Sequence, residues 1–156
     1  MDYGELFRML LPEFIVGLAI IPVLALDLGP MKGGARIYRM SAAAGTTAVA
    51  CALALYCMLG VDAHASLSQS MFDADPLNSI VKAIILLLTM LTGVLSIEVR
   101  FTRNIGEYYA LLLLASVGMM LMVSTENLLM LFVALELSSL SLYVLAAYDG
   151  KERAAT

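Results

Sequence analysis

The chain has 156 residues, 62% of them hydrophobic and 14% charged, with no Trp and a formal net charge of −4. An ordinary soluble domain is about 45–50% apolar and about 25% charged. These proportions, with a mean hydropathy of +0.92, exclude a disordered chain, a coiled coil, a disulfide scaffold and a nucleic-acid-binding module. They leave an all-α membrane protein in the lipid bilayer, because the apolar residues form continuous runs rather than the alternating ten-residue segments of a barrel.

A membrane helix needs roughly 20 mostly apolar residues. Five windows qualify, at 10–28, 40–60, 77–97, 107–124 and 127–147. The first follows the net-acidic MDYGELFR, so it reads as a membrane helix and not as a signal peptide, which would open on basic residues. It carries Glu13 and Asp27 towards its two ends, where headgroup water is within reach. A basic loop with Lys32, Arg36 and Arg39 follows.

The second window is crowded with small residues, Ala42, Ala43, Ala44, Gly45, Thr46, Thr47 and Ala48 among them, and is expected to pack closely on its neighbours. Its Cys51 and Cys57 are separated by about 9 Å of helical rise, beyond disulfide reach, and read as apolar fillers. The next loop, Val61 to Pro76, has no Lys or Arg; it holds Asp62, Asp73, Asp75 and the lone His64, which makes no metal site by itself.

In the third window Asn78, Lys82, Thr89, Thr92 and Ser96 fall at helical steps along one stripe. A polar stripe on a membrane helix must face protein or water. For Lys82, snorkelling to the headgroups remains the alternative. Arg100 and Arg103 follow, the turn at Ser124 to Glu126 has no basic residue, and the tail carries Lys151 and Arg153. The alternation of basic and non-basic connections implies five crossings, N-terminus out and C-terminus in.

Glu136 lies near the middle of the fifth window. A charged side chain at that depth costs at least about 2.5–3.5 kcal/mol, so an acid there is a functional-site candidate. Its affinity for a proton would respond to any cation that approaches and recedes. Ser139 and Tyr143 share its helical face at i+3 and i+7 and are positioned to orient the carboxyl. The bland alternative is a neutral, hydrogen-bonded structural glutamate. With no Gly-rich phosphate loop, no CxxC pair and no Ser/His/Asp set, no catalytic, cofactor-binding or metal-binding residues are expected.

The stretch Gly106 to Tyr148, with GEYYALLL, GMMLM and LELSSLSLYVLAAY, resembles the fourth and fifth helices of the antiporter-like membrane subunits of respiratory complex I, the bacterial NADH–quinone oxidoreductase, and in particular its subunit N family. LLPEF in the first window and DPLNSIVK, Asp75 to Lys82, agree more weakly. The resemblance implies the N-terminal portion of a subunit of about fourteen helices built on inverted repeats. It makes Glu136 a proton-translocating group and Lys82 a second candidate for that role, places Lys82 and Asp75 at recurrent polar positions around the third helix, and puts Glu107 and Tyr108 at the start of the fourth. It also implies other membrane subunits as partners and the bacterial inner membrane as location. NADH, FMN, iron–sulfur clusters and quinone would belong to other subunits, and this chain alone would not be a catalyst. A subunit of a multisubunit cation/proton antiporter or membrane-bound hydrogenase, and a five-helix scaffold with no transport role, are the alternatives.

Overall fold

In the structure, a computed structural model, residues 10–28, 36–61, 76–97 and 104–153 are described, and the elements are helices: α1 (Leu11–Leu18), α2 (Ile20–Leu28), α3 (Arg36–Val61), α4 (Pro76–Leu95), α5 (Ile105–Ser124) and α6 (Leu128–Arg153). The predicted loop residues Lys32, Asp62, His64, Asp73, Asp75, Arg100 and Arg103 lie outside the described residues.

The first apolar window is two short helices rather than one. Pro22 has no N–H to give the Leu18 carbonyl, and its ring crowds that carbonyl, so the helix bends one turn earlier. The bend does not uncoil the chain. Ala19 N–H still donates to Ile15 O at 3.1 Å, and Val23 N–H to Ala19 O at 3.3 Å. The other four windows become single helices long and apolar enough to cross a membrane: Ile37–Met58, Leu77–Leu95, Ile105–Ser124 and Leu128–Ala147. Two boundaries shift charge into helices. Arg36 and Arg39 fall in the first turn of α3 rather than in a loop, and α6 runs past the fifth window through Lys151 to Arg153.

Helix α5 is the hub, in contact with α1, α2, α3, α4 and α6. It is the most buried of the long helices, with Tyr109, Leu113, Ser116 and Met120 fully enclosed, as expected for a helix that is apolar all round. Helix α3 packs on α4, α1 and α5 with small residues: Ala43, Ala44, Thr47, Ala50, Cys51 and Ala54 are buried. Helix α4 is arranged the other way from a soluble helix. Leu77, Ile80, Ile84, Leu87, Leu91 and Val94 point outward, while Leu86, Thr89 and Ser96 point in. An apolar exterior over a smaller, more polar interior is what lipid as solvent selects.

Helix α6 packs on α5 through Ala134, Ser138 and Ser141. A Cβ at Gly118 of α5 would come within 2.8 Å of the Ser138 backbone nitrogen and 3.0 Å of the Ala134 carbonyl oxygen. Only glycine admits that approach. The hydroxyls inside the bundle mostly bond back to their own helices, as Thr47 to Ala43 O (2.8 Å), Thr89 to Ile85 O (2.8 Å) and Ser141 to Leu137 O (2.7 Å). This meets their bonding needs without a partner on another helix.

Candidate functional site

Two carboxylates on the bent segment organise the polar interior, Glu13 buried and Asp27 half-buried, and each is held by partners on other helices. Glu13, in the first turn of α1, is 4% exposed, and its Oε1 lies 2.7 Å from Nζ of Lys82 on α4. The Ser124 hydroxyl, at the last residue of α5, is 3.0 Å from the same Oε1 and 2.8 Å from Met120 O. It has one proton, so it serves one acceptor at a time. Lys82 therefore does not snorkel; it turns inward to a counter-ion.

Asp27, at the far end of α2, forms an ion pair with Arg39 of α3, whose Nε donates to Oδ1 at 2.9 Å and whose terminal NH2 group contacts the same oxygen. The other oxygen, Oδ2, accepts the Gly106 backbone N–H at 3.0 Å. That N–H is one of the unpaired donors at the start of α5, where helical N–H groups favour an anion. A Cβ at Gly106 would sit 2.5 Å from the Asp27 Cβ, which explains the glycine that opens GEYY. The two tyrosines tie α5 to the end of α4. Tyr109 OH donates to Gly93 O at 2.7 Å, and Tyr108 OH lies 2.8 Å from Ser96 Oγ. Since Ser96 gives its proton to Thr92 O at 2.7 Å, the tyrosine is the donor to Ser96.

Of the predicted stripe on α4, Lys82, Thr89 and Ser96 face inward, whereas Thr92 is exposed and bonds only to Leu88 O. Asn78 is half-buried. Glu136 is half-buried on α6, and among the described residues no hydrogen bond or ion pair reaches its carboxylate. Ser139 donates to the Glu136 backbone carbonyl at 3.2 Å rather than to its carboxyl, and Tyr143 is 71% exposed. Neither orients the acid within these residues. The i, i+3, i+7 pattern gave the correct helix but not the rotation of that helix against α5.

The sequence matches no protein-family model. It is 35% identical over 98% of its length to NADH-quinone oxidoreductase subunit N 2 of Acidobacterium capsulatum, covering 33% of that protein. It is likewise 35% identical over 94% of its length to NADH-quinone oxidoreductase subunit N of Methylovorus glucosotrophus, covering 30% of it. The chain is a homologue of subunit N. It spans about a third of the length of these subunit N relatives, and the alignments take in both carboxylate sites and Glu136 within a multi-pass helical membrane protein. Glu13, Asp27, Arg39 and Ser124 were missed as site residues from sequence. The available signal was two acids inside one apolar window; their partners come from other windows, which spacing does not pair.

Proposed function

We propose that the chain is the N-terminal part of a proton-translocating membrane subunit of a bacterial NADH–quinone oxidoreductase, resident in the inner membrane beside other membrane subunits. The observation that carries this reading is the alignment of 94–98% of the chain with relatives named as subunit N of that enzyme. In this reading the redox groups sit in other subunits, and this chain contributes buried charges. The N-terminus faces out, and the chain crosses the membrane five times, the bent α1–α2 segment being the first crossing.

Glu136 is the proton-carrying group. Its place, ninth in the apolar stretch Leu128–Ala147, puts a carboxyl at a depth where acidic side chains are rare and mark function. A cation that approaches in one conformation and recedes in another makes that carboxyl release and retake a proton. The test is Glu136→Gln in the full-length subunit within its native membranes. NADH-driven proton pumping falls while the subunit still assembles; a variant that pumps normally removes Glu136 from the mechanism.

A further inference from the structure

Glu13 is bonded on one oxygen only. Oε1 receives Lys82 and the Ser124 hydroxyl, while Oε2, equally buried, has no donor among the described residues. A carboxylate offers about four acceptor positions, and a buried one left half unbonded is strongly disfavoured unless a further donor completes it. Lys82 also has capacity to spare among the described residues: of its three N–H donors, one is taken by Oε1.

We propose that Glu13, Lys82 and Ser124 form a water-bridged proton site, in which one water accepts from Lys82 Nζ, donates to Glu13 Oε2, and delivers a proton to that oxygen. A buried water needs two to four polar partners, and this junction supplies an unused donor and an unused acceptor on adjoining groups. The step balances without electron transfer: the water takes a proton from the Lys82 ammonium as it passes one of its own to the Glu13 carboxylate, which leaves a neutral amine, a carboxylic acid and an unchanged water. Access is short. Glu13 is in the first turn of α1, Lys82 is the seventh residue of α4, and Ser124 closes α5, so all three lie near the same end of the bundle. Asp27 has no such role, because both of its oxygens are bonded.

Use of this site in transport rests on the proton-translocation reading above; the site itself does not. The test is NADH-induced infrared difference spectroscopy of membranes carrying the full-length subunit, in ordinary and oxygen-18 water. Two signals are expected: a bound-water O–H stretch that shifts in oxygen-18 water, and a carboxylic C=O band, both lost in Glu13→Gln. Lysine exchange cannot mimic the first, since no lysine atom takes up the label. Absence of the water band means a dry ion pair, and absence of the C=O band means a permanently ionised Glu13; either result overturns the proposal. If Glu13→Gln does not assemble, Glu13→Asp must displace the C=O band and Ser124→Ala must move the water band, and failure of either is equally decisive. The pumping of Glu136→Gln is read separately. Glu13 bands alongside normal pumping in Glu136→Gln would sink the Glu136 role and leave this site standing. Missing Glu13 bands with pumping lost in Glu136→Gln would do the reverse.

Discussion

Glu13 and Asp27 stand on the two limbs of one bent segment, each against a cation from a different helix and each in contact with an end of α5. At Asp27 the second oxygen is taken by the Gly106 N–H, and the exposed fraction of the pair, 13% for the acid and 21% for Arg39, leaves it some solvation. At Glu13 the acid is 4% exposed, the lysine 12%, and the second oxygen is unbonded within the described residues. The same ion-pair chemistry thus yields a closed clamp at one end and an open acceptor at the other. The difference lies in what α5 offers: a backbone N–H at its start, and one shared hydroxyl at its finish.

The comparison breaks most sharply on the cations. Lys82→Met strands a buried carboxylate and is expected to cost about 3–5 kcal/mol, whereas Arg39→Met leaves Asp27 its backbone donor and costs about 1.5–3 kcal/mol. Thermal unfolding of the full-length chain in detergent reads both, and equal losses would show the two ends to be equivalent. Gly106→Ala comes next. Its Cβ must displace Asp27, at about 1–3 kcal/mol, while Gly17→Ala, with nothing within 4 Å of its Cβ, serves as the silent control in the same melt. Ser124→Ala is the smallest, about 1 kcal/mol, because Lys82 still holds Oε1; a loss as large as that of Lys82→Met would mean the hydroxyl carries the site.

The helical plan was open to reading because bilayer thickness sets a length that a sequence must meet, and four of the five windows became single helices on nearly the expected bounds. The first window is helical over its expected bounds but bends on account of one residue, Pro22, whose effect appears a turn before it. The inward turn of Lys82, Thr89 and Ser96 was also legible, since a polar stripe has nowhere else to go in lipid. Thr92 escaped the rule by bonding to the carbonyl of its own helix. What could not be read was partnership. Glu13 with Lys82, Asp27 with Arg39 and Gly106 with Asp27 depend on which helix ends meet, and hydropathy carries no record of that.

The strapping of α5 by the bent segment also bears on biogenesis. Synthesis proceeds from the N-terminus, so Asp27 meets Arg39, 12 residues along the chain, as soon as α3 has emerged, a sequence separation with little closure entropy. Glu13 waits longer, for α4. Only when α5 arrives do Gly106 and Ser124 engage the two limbs, after which Gly118 is presented to the incoming α6. A nascent chain halted before α5 would therefore hold both acids ion-paired but each without its α5 donor, a state that quality-control proteases could distinguish from the finished bundle.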